Sequence, residues 1–313
     1  MNDAARRVEV APRIPMRNPD GHKGTFGTTL VVGGATTPRI MPGAAALAGR
    51  AALRSGAGLA VLALPSSLAL AGATILPEAT VVPLHIDREV ASTAVERCLE
   101  AAETSHAIVC GCGLGTPGGV ERLVNAVSDM ESRPRVIDAD GLNAIASAGR
   151  DALRGPIVLT PHPGEWSRLA RAVGINADPL HDERRPHAAA SLARRFDAGG
   201  GSVVVVLKGA RTVVSDGERW WRHEHPNPAL ATAGSGDVLA GTIGGLLAQF
   251  HPRAGARAID TTRDAFDLAC LGVELHAAAG RVWSEAKGDA GLLAHELADA
   301  LPAGRRLIQS AND

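Results

Sequence analysis

Short aliphatic runs alternate with longer Ala- and Leu-rich stretches from Thr28 onward, and this alternation is the main pattern of the chain. Unbroken apolar runs of this length are typical of strands that are buried on both faces of a parallel sheet. The pattern predicts strands at Thr28–Val32, Leu59–Leu64, Ala107–Cys110, Arg135–Asp138, Ile157–Thr160 and Val203–Lys208.

The stretches between these strands have the length and composition of helices. Pro42 at a helix start and Gly56 just past a helix end bracket the first of them, with about three turns. Further helices are predicted at Ala91–Ala102, Gly119–Met130, Gly164–Val173, Pro186–Phe196, Asp237–Phe250, Asp264–Glu285 and Leu292–Ala300.

Strands that alternate with helices build βαβ units. The sequence therefore predicts an α/β fold, a doubly wound and mostly parallel sheet with helices on both faces. Two short runs, Arg211–Ser215 and Arg219–His223, flank Asp216-Gly217 and predict a β-hairpin appended to that sheet. No repeat or linker divides the chain, so we predict a single domain over residues 18–313, preceded by a loose N-terminal arm over residues 1–17.

One uncharged stretch, from Ser55 to Pro77, is long enough to span a bilayer. Pro65-Ser66-Ser67 interrupts it, and its run Leu59–Leu64 fits a buried strand, so the strand is preferred over a membrane span. The segment from Met1 to Pro15 lacks the apolar part of a secretory signal. The four cysteines form no Cys-x-x-Cys pair, a usage that suits a reducing cytoplasm.

Composition sets limits on the function. Hydrophobic residues make up 45% and charged residues 21% of the chain, so a sizeable core is expected and disorder is excluded. Aromatic residues make up only 3%, which leaves Ala, Val, Leu and Ile to fill that core. With 32 Lys and Arg against 33 Asp and Glu, the net charge is −1. Few rings for base stacking and no basic field argue against general nucleic-acid binding.

Ligands of open parallel sheets bind beyond the carboxyl ends of the strands, so the loops that follow the strands are where chemistry is expected. After the first strand, Gly33-Gly34 and Met41–Ala44 either let a ligand approach the backbone or pack a helix tightly on the sheet. Later loops carry Asp138 and Asp140, and then His162 between two prolines. Asp140 could serve a magnesium-bound phosphate or a sugar hydroxyl, or simply cap a helix.

Several familiar motifs are absent or incomplete. The loop Gly111–Gly115 does not fit the dinucleotide fingerprint, because Thr116 stands where its third glycine is needed. Each of the three lysines follows a residue other than glycine, which excludes a Walker A loop. His223-Glu224-His225 and the pair His162 and Glu165 lack the further ligands that zinc needs. No metal-ligand set is therefore predicted from the residues.

The sharpest signal is Ala231–Gly241, in which glycines precede a strongly apolar helix. Such glycines expose consecutive backbone N–H groups, and together with the helix dipole these form a cradle for an anion. Asp237 in the first turn would stand beside a hydroxyl that reacts there. An anion cradle next to a carboxylate base is what phosphoryl transfer to an alcohol requires. The alternative is that Ser235 or Asp237 only caps the helix.

Six motifs occur in an order that resembles the ADP/ATP-dependent NAD(P)H-hydrate dehydratases of the ribokinase-like superfamily. They are His22–Gly27, Pro42–Ala45, Ala52–Gly58, Leu159–Glu165, Val206–Gly209 and Gly234–Asp237. The resemblance runs from about Asn18 to Leu301. It implies a ribokinase-like fold and an enzyme that restores hydrated NADH and NADPH, using ADP or ATP with Mg²⁺ to phosphorylate the ring hydroxyl before phosphate is eliminated.

The resemblance also implies roles for particular residues. Asp237 would be the catalytic base, and Gly234, Ser235 and Gly236 would donate N–H groups to the transferring phosphate. The nucleotide would be bound by Lys208, Gly209, Ala210, Arg211 and Thr212. The hydrated cofactor would be contacted by Ala44, Gly115, His162 and Asp237. Relatives of this kind are often tetramers, so a homotetramer is expected.

Three departures from the family pattern stand out: Cys112 where proline is common, Ser235 where threonine is common, and Arg211 where a small or polar residue is usual. The charge of Arg211 could alter the nucleotide preference. Two other functions stay open at this point. One is a ribokinase-like kinase that phosphorylates a vitamin-precursor alcohol; the other is a nucleotide-binding regulator without turnover, against which Asp237 argues.

Overall fold

A computed structural model describes residues 5–199, 203–255 and 263–310. Its strands are β1 (Arg6–Arg7), β2 (Thr28–Val32), β3 (Leu59–Pro65), β4 (Thr80–Leu84), β5 (Ala107–Cys110), β6 (Arg135–Ile137), β7 (Ile157–Leu159), β8 (Val203–Leu207), β9 (Val213–Ser215) and β10 (Arg219–Arg222). They form one sheet in the order β1-β10-β9-β8-β7-β6-β5-β2-β3-β4. The strands from β8 to β4 in this order are all parallel, and β9 runs antiparallel between β8 and β10. The predicted hairpin is confirmed.

Ten helices accompany the sheet in the ranges that the structure describes. They are α1 (Pro42–Ser55), α2 (Ala69–Ile75), α3 (Ser92–Glu103), α4 (Val120–Ser128), α5 (Asp140–Ser147), α6 (Pro163–Ala172), α7 (Arg185–Phe196), α8 (Ser235–Phe250), α9 (Ala265–Lys287) and α10 (Ala294–Ser310). None of them is long and apolar enough to cross a membrane.

Two cores lie on opposite faces of the sheet, because successive side chains of a strand point to opposite faces. In β2, Leu30 and Val32 join the core under α3 to α7, whereas Val31 joins the core under α1, α8 and α9. A third cluster, which includes Leu297 and Leu301, packs α10 against α9. The doubly wound α/β architecture is confirmed, and the carboxyl ends of the parallel strands lie at one edge.

Some elements differ from the prediction. Strand β4 and helices α2 and α5 were not predicted. Strand β4 was missed because it is an edge strand that contains Pro83 and is only partly buried. Helix α10 was predicted to end at Ala300 but continues past Pro302 to Ser310. A proline inside a helix removes one hydrogen bond, and the packing of Leu301 and Gly304 against α9 outweighs that loss.

The predicted arm makes defined contacts from Arg6 onward. Strand β1 pairs in parallel with β10, so Arg6 lies opposite Arg219. The guanidinium of Arg17 lies 3.6 Å from the centroid of the Phe26 ring and donates to the Gly56 carbonyl at 2.7 Å. These contacts attach the segment to strand β10 and to the turn after α1.

Candidate active site

The first turn of α8 presents free backbone donors. Gly234 is the N-cap, with φ 86°, and neither Ser235 nor Asp237 caps the helix through its side chain. A Cβ atom at Gly234 would lie 2.8 Å from Cβ of Ala294 and 2.9 Å from Cδ1 of Leu47, so glycine is required for both space and backbone angle. Within the described ranges, the N–H groups of Gly236 and Asp237 have no acceptor. They are open to an anion, as a helix N-terminus allows.

Opposite this turn, a lysine lies among carboxylates at the ends of β6 to β8. Nζ of Lys208 is 2.6 Å from Oδ1 of Asp138 and 3.7 Å from Oε2 of Glu165. The Thr160 hydroxyl donates to the same Asp138 oxygen at 2.7 Å. Asp138 raises the pKa of Lys208 despite the opposing effect of burial, so the lysine is cationic. The place where Cβ of Gly236 would stand is 3.5 Å from Nζ of Lys208, so this cation faces the open N–H groups.

Asp237 is the carboxylate closest to those groups. Burial, followed by the charge of Asp138, raises its pKa to about 7. The Cys112 thiol forms a hydrogen bond with Asp237, and this contact lowers the carboxyl pKa. One ligand atom each from Cys112, Asp138 and Asp237 lies within 4.8 Å of the other two. A carboxylate that titrates near neutral pH beside an anion cradle is suited to act as a general base.

Most of the predicted nucleotide residues line one cavity of about 700 Å³ beside the first turn of α8. Its wall includes Lys208, Gly209, Ala210, Thr212, Ser235 and Gly236. Arg211 does not line the cavity; its Nη1 atom lies 3.0 Å from Oδ2 of the exposed Asp182. Gly234 lies just outside the cavity, as the N-cap of α8.

Ala44, in the first turn of α1, and Gly115, on the loop after β5, were predicted to contact the substrate and lie outside this cavity. A Cβ atom at Gly113 would be 2.8 Å from Cβ of Ala44, so the loop after β5 packs directly on the start of α1. The N–H of Gly115 donates to Oδ2 of Asp140 at 2.8 Å. Asp140 therefore fixes the Gly111–Gly115 loop, which also carries the Cys112 thiol to Asp237.

The residue that precedes Asp140 has an unusual backbone. Ala139 has φ 48°, the one positive φ of a non-glycine residue in the described ranges. This turn directly after β6 lets Asp138 face Lys208 while Asp140 reaches Gly115. Backbone strain of this kind clusters at functional sites.

His162 lines the same cavity as Lys208. It is also the N-cap of α6: Nδ1 accepts from the N–H groups of Gly164 and Glu165 at 3.0 and 3.3 Å. The Glu165 carboxylate accepts in return from the His162 N–H at 2.8 Å. Nε2 of the imidazole lies 3.4 Å from Oε1 of Glu165, so both ring nitrogens face groups of the first turn of α6.

Besides His162, three histidines line the cavity: His223 and His225, which were considered only as zinc ligands, and His276, which was not singled out from the sequence. His276, in the apolar middle of α9, has Nε2 at 3.0 Å from the Ser235 carbonyl oxygen and 3.2 Å from its hydroxyl. His223 has Nδ1 at 3.0 Å from a carboxylate oxygen of Glu274. Periodicity cannot reveal His276, because a histidine in an apolar helix looks like any core residue.

The comparisons with known proteins bear on this arrangement. A family model of NAD(P)H-hydrate dehydratase matches residues 29–303. The chain belongs to this family. The ADP-dependent (S)-NAD(P)H-hydrate dehydratase of Neisseria meningitidis is 37% identical to it over 304 residues, 94% of this chain and 91% of that protein. The resemblance seen in the motifs is thereby confirmed.

Solved structures agree with this dehydratase family. The ADP/ATP-dependent NAD(P)H-hydrate dehydratase of Bacillus subtilis, co-crystallised with ATP/Mg²⁺, is similar with a TM-score of 0.72 and 31% identity over 95% of each chain. A ribokinase from Cryptococcus neoformans, at 14% identity and a TM-score of 0.51, shares the fold alone. The ribokinase-like fold is confirmed. The chain spans about half the length of other curated relatives, 51% of the bifunctional NAD(P)H-hydrate repair enzyme of Moorella thermoacetica.

Proposed function

We propose that this protein is a hydro-lyase that repairs hydrated NADH and NADPH with the help of ADP or ATP. The observation that carries the proposal is the position of Asp237. It stands between the cavity that holds Lys208 and the loop that carries Cys112 and Gly115, directly beside the open N–H groups of α8. A phosphate in the cavity and a hydroxyl near Ala44 and Gly115 would meet at this carboxylate.

The chemistry follows from that placement. Asp237 accepts the proton of the ring hydroxyl while the hydroxyl oxygen attacks the terminal phosphorus of the nucleotide. The bond from that phosphorus to the bridging oxygen breaks, and its electron pair leaves with AMP when ADP is the donor or with ADP when ATP is the donor. The N–H groups of Gly236 and Asp237, with Lys208 opposite, stabilise the charge on the transferring phosphate. The ring C–O bond then breaks, its electron pair leaves with phosphate, and loss of a proton from the neighbouring ring carbon restores the dihydropyridine.

The acidic residues fit Mg²⁺, which phosphate chemistry of this kind requires. Carboxylate oxygens of Asp138 and Asp237 lie within 4.8 Å of each other, whereas the Cys112 thiol of the same cluster is a soft ligand. Mg²⁺ takes oxygen ligands and keeps several waters, so the two carboxylates would hold it directly or through water. When bound, it neutralises charge on the nucleotide phosphates.

Recovery of the reduced-nicotinamide absorbance band tests the proposal. Chemically hydrated NADH and hydrated NADPH are each incubated with the protein and Mg²⁺, with ADP, with ATP or without nucleotide. Recovery that requires a nucleotide supports the dehydratase and identifies the phosphoryl donor. Absence of recovery in every mixture would contradict it, and phosphorylation of a vitamin-precursor alcohol would then be the activity to assay.

The same proposal includes a cytoplasmic homo-oligomer, with a tetramer expected from the resemblance. Two observations support it: the four cysteines form no disulfide and are buried, as in a reducing compartment, and several large apolar side chains are exposed. Val10, Met16, Ile40, Leu70 and Leu180 are each at least 70% exposed. Light scattering coupled to gel filtration gives the oligomeric state, and a monomer would contradict this part.

A further inference from the structure

His276 and Ser235 form a contact that no sequence motif predicted. His276 lies in the middle of α9, is buried, and lines the cavity of Lys208. Its Nε2 atom is 3.0 Å from the carbonyl oxygen and 3.2 Å from the hydroxyl oxygen of Ser235. Ser235 is the first residue of α8 and also lines the cavity. A side chain of one helix thus holds the first turn of the other at both of its polar oxygens.

The chemistry of these atoms fixes the direction of the hydrogen bonds. A carbonyl oxygen can only accept, so Nε2 carries the proton and donates. Burial lowers the pKa of His276 to about 4, which keeps the ring neutral at pH 7. A protonated Nε2 has no lone pair to accept the Ser235 proton. The Ser235 hydroxyl therefore accepts from His276 and keeps its own O–H for another partner.

That O–H has no acceptor within the described ranges. The cavity is where an acceptor can come from, since Ser235 lines it together with Gly236 and Lys208. The neighbouring N–H groups of Gly236 and Asp237 are equally open. These three donors lie on one helix turn, and two of them belong to residues that line the cavity, Ser235 and Gly236. A ligand that suits such a group of donors is an anion with several oxygens.

We propose that His276 is a positioning residue, which orients the Ser235 hydroxyl as a donor to the terminal phosphate of the nucleotide. The role rests on the proposed function for the identity of the ligand. It predicts that His276 acts on nucleotide binding through Ser235 and does not affect binding of the hydrated cofactor, because that substrate would lie near Ala44 and Gly115 outside this cavity.

Four variants test the role: His276→Met, His276→Gln, Ser235→Ala and the double variant His276→Met with Ser235→Ala. Methionine fills the buried space without an N–H donor, and glutamine restores a donor at a similar reach. We expect His276→Met and Ser235→Ala each to raise the KM for the nucleotide about tenfold, with the KM for hydrated NADH within twofold of wild type. His276→Gln should have a KM for the nucleotide close to that of the wild type. The KM of the double variant should be no higher than about that of the more impaired single variant.

His251→Leu is the matched control. His251 is a second histidine whose pKa burial lowers to about 4, and it caps the opposite end of α8, roughly 24 Å along the helix from Ser235. Its loss should leave the KM for the nucleotide unchanged. Melting curves of all variants establish that each one folds. If a His276 variant does not fold, Ser235→Ala by itself still tests the role of the hydroxyl.

Calorimetric titration with ADP and with ATP in Mg²⁺ buffer measures the same effect without turnover. A wild type that binds nucleotide but restores no hydrated cofactor would contradict the proposed function and leave the His276 comparison intact. An affinity of His276→Met within twofold of wild type would overturn the inference. Losses of nucleotide affinity that multiply in the double variant would also overturn the inference, since the two residues would then act independently.

Discussion

Nζ of Lys208 lies 2.6 Å from Oδ1 of Asp138, and this pair joins the ends of β8 and β6 across β7. The lysine also approaches Glu165, and its charge lowers the pKa of Asp237. One cation therefore compensates three carboxylates at the edge of the sheet. Removing it would leave buried negative charge without a partner, which costs far more than an exposed ion pair is worth.

We expect Lys208→Met to lower the free energy of unfolding by about 3 kcal/mol and to weaken nucleotide binding strongly. In the double variant Lys208→Met with Asp138→Asn, the carboxylate closest to the missing cation is gone, so part of the stability should return while nucleotide binding stays weak. Urea denaturation and calorimetry measure the two quantities. Equal stability of the single and double variants would contradict the compensation.

Asp237→Asn should separate chemistry from binding. Without the carboxylate base, turnover should fall at least about a hundredfold, whereas ADP and ATP still bind because the N–H groups and Lys208 remain. The measurement is single-turnover recovery of hydrated NADH next to calorimetric nucleotide binding. Turnover equal to wild type would exclude Asp237 as the base.

The same variant should be more stable than the wild type at alkaline pH. The folded pKa of Asp237, about 7, lies above its ordinary value, so the folded state binds the proton more tightly than the unfolded state. Its contribution to stability is present at low pH and is lost as pH rises through about 7. We expect Asp237→Asn to exceed the wild type by on the order of 2 kcal/mol at pH 8 after allowing for partial exposure to water, and by less at pH 5. Melting temperatures at both pH values check the sign.

Cys112 should set the pH at which Asp237 becomes a base. Its thiol hydrogen bond lowers the carboxyl pKa, so Cys112→Ala should raise that pKa and move the acidic limb of the activity profile to higher pH. Cys112→Ser keeps a donor and is the control, with a profile close to wild type. Profiles of turnover against pH for the wild type and the two variants test this prediction. An acidic limb that stays in place in Cys112→Ala would contradict it.

Two glycines of the same turn should respond in opposite ways. Gly234→Ala brings a Cβ atom against Ala294 and Leu47 at φ 86°, so it should lower the free energy of unfolding by about 2 kcal/mol. Gly236→Ala meets nothing closer than Nζ of Lys208 at 3.5 Å and has a helical position, so stability should hold or rise.

The methyl group of the Gly236→Ala variant would nevertheless project toward the space between Lys208 and the open N–H groups. The nucleotide affinity of this variant should therefore drop about tenfold. Thermal melting and calorimetry on both variants test the contrast. Undiminished affinity in Gly236→Ala would mean that the phosphate does not approach this part of the turn.

The sequence by itself determined the central strands, most helices and the family. Runs such as Val203–Leu207 are apolar at every position because both faces of a parallel strand are buried, and this information is local. The edge strand Thr80–Leu84 escaped prediction because an edge strand is only partly covered and tolerates proline. Helix α5 begins at Asp140, whose role as a loop anchor rather than a cap depends on Gly115, far away in the chain.

The site's chemistry was decided only by the tertiary structure. Asp237 and the glycines beside it could be singled out, since a Gly-rich turn before an apolar helix is a local pattern. The neighbours that tune them come from other strands and helices: Asp138 and Cys112 raise and lower the Asp237 pKa, and His276 directs the Ser235 hydroxyl. Parallel strands end at one edge of a sheet, so the topology brings together residues that no spacing along the chain relates.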